Sequence, residues 1–395
     1  MEPTVEPSSS PPRSTAAARA RRAVELDVLR AVAILLVIGR HVQAASGGDS
    51  WVTPIALVWR RIGWTGVDLF FVLSGFLVGG LLFKELRTHD RVDVRRFLFR
   101  RGFKIWPSYY VFLACYFLKY ALVDAHGDFR AALARVLPGI FHLQNYFPNP
   151  RHTWSLAIEE HFYLVVPIAV GIALRVGPRE RPLRFIPVVA AIVAAVCLAL
   201  RLSLFDHPYS PGVHVFPTHL RVDGLFFGVF LGYLHHFDSP ILRRVGARSL
   251  PLLAVGIALV APMGFLELET SPFVYTIGFT MLYLGYGAIV VACAHAPRDG
   301  WLRRLFETPV ARLLGAVGFF SYPIYLWHLD LGITPVTKLF QHGYLRHYPA
   351  LEWLSQATLS VVAAVVAGIV MSKIVEQPML RLRDRLFPSR SGAVR

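Results

Sequence analysis

The sequence predicts an all-α integral membrane protein with about ten transmembrane helices and both termini cytoplasmic. Three observations carry this. Hydrophobic residues make up 55% of the 395-residue chain, more than a soluble domain carries. They fall in successive runs, most of them near the roughly 20 apolar residues that cross a bilayer core. Basic residues gather in alternate connections, as the positive-inside rule requires. A formal charge of +16 would suggest a nucleic-acid partner in a soluble chain. Here the basic residues lie between apolar runs, so topology accounts for them and no nucleic acid is expected.

Residues 1–25 are rich in Ser, Pro and Ala and include Arg19, Arg21 and Arg22; they read as a disordered basic cytoplasmic tail. A cleaved signal peptide is disfavoured because the following run lacks a small-residue cleavage pattern. The membrane domain covers 26–376, with spans near 26–45, 62–83, 106–123, 154–175, 185–204, 219–236, 250–266, 273–294, 313–335 and 354–376. Residues 133–147 are too short and interrupted for a span and read as a re-entrant or interfacial piece. Residues 377–395 read as a second basic cytoplasmic tail, which makes the chain a stand-alone membrane domain. With the N-terminus inside, roughly 29 Lys and Arg fall in inner segments against roughly 7 in outer ones. The expected location is the inner membrane, multi-pass, surrounded by lipid; a homo-oligomer is left open. Cys115, Cys197 and Cys293 show neither zinc spacing nor a disulfide framework and read as small buried hydrophobes; no metal is expected.

Arg30 and His41 stand inside the first run. Eleven helical steps turn the chain by about 1100°, three turns plus roughly 20°, so both side chains face one way about 16 Å apart. Ionisable groups on one stripe of a membrane helix are costly and usually line a protein interior. The connection from Arg95 to Pro107 is the densest basic patch, including Arg100, Arg101 and Lys104. Ordinary topology charge explains it, and so does a phosphate clamp in which Arg101 and Lys104 share a helix face. Trp154 to Tyr163 enters the membrane carrying Glu159, Glu160 and His161. Trp154 and Tyr163 suit an interfacial anchor, which leaves the glutamates unexplained. Asp68, Arg221, Asp223 and His328 are further polar residues within spans. Each alone suits a structural contact between helices. Together with His41 and Glu159 they fall within roughly 10 Å of the outer ends of their spans, which predicts a polar layer around a cavity open to the outer face.

Five strings in order resemble the acyltransferase-3 family of integral membrane acyltransferases. They are Arg30 and His41 with ten residues between; Gly66-Val67-Asp68-Leu69-Phe70-Phe71-Val72-Leu73-Ser74-Gly75-Phe76; Trp154-Ser155-Leu156 with Glu159; Ser321-Tyr322 with Tyr325 and His328; and Val375-Glu376-Gln377-Pro378. The resemblance runs from Leu26 to Pro378. It implies a ten-helix domain moving acyl groups, usually acetyl, from cytoplasmic acyl-CoA to a hydroxyl of a glycan or related acceptor: O-antigen, exopolysaccharide, a lipid-linked sugar or a macrolide. His41 matches the family's essential histidine and Arg30 its paired arginine. Two positions depart. The family's Arg-x-x-Arg is Arg101-Gly102-Phe103-Lys104 here, and His161 stands where Gln is commoner.

The mechanism this implies has no permanently bound cofactor. Arg100, Arg101 and Lys104 hold the phosphates of acyl-CoA, and His41 acts as general base or forms a transient acyl-histidine. Arg30 pairs with His41, Asp68 or Glu159 orients the imidazole, and Arg221, Asp223, Trp154, Tyr325 and His328 bind the acceptor. The rival reading is a proton-coupled transporter or flippase using the same intramembrane residues. The spans show no paired repeat of the transporter kind.

Overall fold

A computed structural model describes residues 24–43, 50–147, 151–177, 183–237, 239–297, 299–341, 345 and 347–388. Most of the expected tail 1–25 and the end of 377–395 lie outside them. The principal helices are α1 (Val24–His41), α2 (Thr53–Gly63), α3 (Gly66–His89), α4 (Val94–Lys119), α5 (Phe129–Ile140), α6 (Trp154–Val176), α7 (Ile186–Ser203) and α8 (Asp223–His236). The second half continues with α9 (Ser249–Val260), α10 (Phe279–Ala294), α11 (Pro309–Phe319), α12 (Ser321–Trp327), α13 (Thr334–Phe340), α14 (Pro349–Met371) and α15 (Gln377–Leu386). The protein is an all-α, multi-pass membrane protein.

Among the described residues five helices are long and apolar enough to cross a membrane, or up to seven if each of two bent pairs is one span. The expectation was ten. Over its described residues every expected span falls mainly on helical chain, but several helices are too short or too charged to qualify on length and composition. Helix α1 carries Glu25, Asp27, Arg30 and Arg40 within 18 residues, and α8 has only 14 residues, about 21 Å. The segment 133–147 is mostly α5, whose 12 residues rise about 18 Å and fall short of a crossing.

Local chemistry sets the ends of these helices. Asp93 caps α4 by accepting from the Arg96 amide at 3.0 Å, and Asp90 ends α3 in the left-handed region at φ 52°. Acids in the first turn of α1 and bases in its last complement the helix dipole. Helices α3 and α8 touch backbone to backbone. A β-carbon on Gly75 would overlap the Leu225 carbonyl oxygen, and one on Gly228 the Val72 carbonyl oxygen. Small residues at a crossing drive close packing where lipid offers no hydrophobic contrast.

Two features place the site. Helix α4 runs for 26 residues from Val94, so Arg95 to Lys104 are not a loop but the first turns of a helix entering the bundle. Between α11 and α13 the chain bends by 59° at Phe320 and then widens into a π-turn over His328–Ile333. That break turns Tyr325 and His328 inward, and both are buried; π-turns inside helices are common at functional sites. The described part of the second tail is helical: α15 docks on α4, with Phe387 stacked on Phe99 at 5.3 Å.

Candidate active site

A cavity of about 580 Å³ opens inside the bundle. Its lining carries Arg30 of α1, Lys84 of α3, Arg101 and Lys104 of α4, the pair His235 and His236 of α8, and Glu159, Ser155 and Tyr325. Its remaining walls are largely aliphatic and aromatic. Arg30, Lys84, Arg101 and Lys104 bring cations from three helices against one lining carboxylate, Glu159, so the cavity suits an anion with an uncharged arm.

Arg101 lies flat on the Tyr163 ring, its guanidinium carbon 3.9 Å from the centroid. Tyr163 donates a short hydrogen bond to Glu159. Arg101 and Glu159 are thus joined through one phenol, and the Arg101 Nε has no protein partner among the described residues. Arg30 reaches Asp27 one turn back at 3.7 Å and interacts electrostatically with Arg101 and Glu159. Lys104 shows no hydrogen bond or ion pair among the described residues; its charged surroundings are Arg30, Arg101, Glu376 and Arg383. Arg101 and Lys104 share a face, as their spacing predicts. Arg100, expected beside them, points away: it donates to the Phe387 carbonyl and pairs with Asp384 at 3.4 Å. It fastens α15 to α4 and does not line the cavity.

Beyond Tyr325 three imidazoles meet. His41 lies 5.2 Å from His328, ring centroid to centroid, and His328 lies 5.5 Å from His152 edge-on. Tyr325 donates a short hydrogen bond to the His152 carbonyl and shares a 2.6 Å contact with the Ser155 hydroxyl. A carbonyl can only accept, so Ser155 donates to Tyr325. His41 is not on the cavity wall: Arg30 lines the cavity, while His41 stands past Tyr325 and His328.

The expected single polar layer divides. Asp68 does not orient His41; it pairs with Arg221 at 2.6 Å. Asp223 pairs with Arg201 at 2.8 Å. Both pairs are almost wholly buried, with side-chain exposures of 1% to 6%. The Arg221 guanidinium is walled by Phe279 at 3.7 Å and Trp154 at 5.5 Å, and Trp154 stacks on Phe216. Arg221 is therefore committed to Asp68 and Trp154, and Asp223 to Arg201, inside the core and not held out to an acceptor. The cause is desolvation: a charge removed from water persists only with a partner at contact distance. Glu159 turns the other way, onto Tyr163 and the cationic cavity.

Sequence reasoning passed over Arg201, Tyr163, Lys84 and His152 as site residues. Arg201 was visible as an arginine inside an apolar run, the signal that singled out Arg30. Lys84 follows directly on the apolar run 62–83, where a basic residue serves topology equally well. Nothing in the sequence marked the Tyr163 bridge, which depends on the packing of α4 against α6. Of the cysteines, Cys197 and Cys293 are buried but Cys115 is exposed, on a face of α4 that the buried-hydrophobe reading misplaced.

With this geometry in view, the comparisons decide the family. The profile described as acyltransferase domain matches residues 24–373. The chain belongs to the acyltransferase-3 family. It is 27% identical over 374 residues to the peptidoglycan O-acetyltransferase OatA of Listeria monocytogenes, covering 90% of this chain and 55% of that protein. It is 25% identical to the O-acetyltransferase OatA of Staphylococcus aureus, covering 93% and 59%. It is 30% identical to the putative peptidoglycan O-acetyltransferase YrhL of Bacillus subtilis, covering 80% and 49%. The chain thus spans about half the length of these curated relatives. No solved structure matches it.

Proposed function

We propose that this protein is a membrane O-acetyltransferase that takes an acyl group, acetyl foremost, from cytoplasmic acyl-CoA and passes it to a hydroxyl of a cell-envelope glycan. The observation that carries this is the cavity. Its lining sets Arg30, Lys84, Arg101 and Lys104 among largely aliphatic and aromatic walls and includes Ser155 and Tyr325, the latter against the His328 ring. A donor with a phosphorylated head and a slender neutral arm fits that combination. Lys84, Lys104 and Arg101 are the phosphate ligands, and α1 sets the span from Arg30 to His41 at about 16 Å. His41, beyond Tyr325, is the general base, a role typically contributing 10²–10⁴-fold. The relatives' names support a glycan acceptor; peptidoglycan is the first to test.

Arg101 and Arg100 are adjacent in sequence and opposite in placement, which provides the test. Arg101→Ala and Lys104→Ala should each raise the KM for acetyl-CoA by roughly tenfold, the loss of a charge-assisted contact of about 1.5–3 kcal/mol, with the acceptor KM little changed. Arg100→Ala should leave the donor KM near that of the wild type. Equal effects at all three positions would return the patch to a topology signal.

A further inference from the structure

Neither carboxylate expected to orient His41 is free to do so: Asp68 is paired with Arg221 and Glu159 with Tyr163. A general-base histidine needs its second nitrogen occupied, because the partner of that nitrogen fixes the tautomer and aims the basic one. The ring against His41 is His328.

The state of His328 follows from its own contact. Its Nδ1 lies 2.6 Å from the Tyr325 carbonyl oxygen. That oxygen can only accept, so Nδ1 carries the proton and donates, and in the neutral ring Nε2 is left as a bare acceptor. Residue His328 is completely buried, and Nε2 has no partner among the described residues. A buried acceptor without a partner is costly, on the order of 1–3 kcal/mol. Such orphans are rare enough to call for a role. Tyr325 holds the arrangement from both ends: its carbonyl anchors His328, while its hydroxyl is tied to the His152 carbonyl and Ser155. His152 backs His328 edge-on and is itself pinned by Phe112 at 5.4 Å.

We propose that His328 is the positioning residue of the base: its Nε2 accepts the N–H of His41, leaving the other His41 nitrogen to take the acceptor's proton. This rests on the acyl-transfer reading above and gives His328 a role other than acceptor binding. The step balances without a net proton on His328. The acceptor oxygen bonds to the acyl carbon as its proton moves to His41. The carbon–sulfur bond then breaks, and the departing thiolate takes the proton back from His41. His328 accepts one hydrogen bond throughout, which steadies the imidazolium while it exists.

The two nitrogens of His328 can be tested separately, because a Gln amide reaches the place of Nε2 and an Asn amide that of Nδ1. The full-length protein in lipid nanodiscs is assayed in two ways. One is transfer from acetyl-CoA to peptidoglycan oligosaccharides. The other is the rate at which diethyl pyrocarbonate modifies His41, read by peptide mass spectrometry without either substrate. His328→Gln should stay close to wild type in both. His328→Asn and His328→Leu should lose about tenfold or more in kcat, part of the 10²–10⁴-fold general-base contribution, with the acetyl-CoA KM unchanged. They should also slow His41 modification several-fold. Should His328→Leu fail to fold, the Gln and Asn pair still decides. An active His328→Asn with an inactive His328→Gln would reduce His328 to an anchor on the Tyr325 carbonyl and overturn the proposal, as would three variants like wild type. If the wild type transferred nothing from acetyl-CoA while the modification pattern held, the acyl-CoA reading would fall and the pairing of His328 with His41 would stand.

Discussion

Asp68 and Arg221 show what a buried charge does when its partner is within reach. Removing one member of such a pair strands the other, at a cost of about 3–5 kcal/mol, whereas replacing both with apolar residues is often nearly neutral. Asp68→Leu and Arg221→Met are therefore expected each to lower the thermal midpoint of the detergent-solubilised protein sharply, and the double variant to recover most of the loss. Midpoints that simply add would show that the two do not act as a pair. Arg30, His41, Arg101, Lys104 and Glu159 were legible in the sequence because ionisable groups in apolar runs stand out. What each of them touches was not legible. Periodicity gives the face and depth of a residue on its own helix but not the neighbour that the facing helix supplies, so Asp68 looked as available to His41 as to Arg221. Arg100 has the same limit: its companion Phe387, just past α15, lies 287 residues further along the chain.

At the scale of elements, apolar runs marked where helices lie but not how they break. The bend at Phe320 and the π-turn over His328–Ile333 interrupt one expected span and bring Tyr325 and His328 inward. Local propensity contains no such instruction; the break follows from packing of that stretch against α1 and α14. The basic run of α4 was read as a loop because charge density outweighs propensity in a topology argument, yet Asp93 caps a helix there. The crossing of α3 on α8 is the element contact most exposed to a small change. Gly75→Leu forces a side chain into the α8 backbone, and overpacking of this kind costs about 1–3 kcal/mol or more. Lower yield of folded protein and a lower thermal midpoint are expected, with the same outcome for Gly228→Leu. Wild-type behaviour of both would mean that the helices do not approach at these glycines.

For the whole molecule the central claim is directional: donor enters at the basic end of the bundle and the acyl group leaves at the end where His41 stands. The ends differ in chemistry. Lys84, Lys104, Arg100 and α15 gather at one, while at the other Arg40 bonds Glu269 and Arg61 pairs with Glu267 at 2.8 Å. A highly charged donor does not cross a bilayer unaided, so on the proposed reading the thioester is presented through the interior of the bundle, where the cavity lies. The proposal takes the basic end as cytoplasmic, on the positive-inside bias. Sealed inverted vesicles test this most directly, with labelled acetyl-CoA supplied outside and peptidoglycan oligosaccharide trapped in the lumen. The account predicts labelled acceptor inside, free CoA outside, and loss of both with His41→Ala. Acylation only of acceptor placed on the same side as acetyl-CoA would contradict it.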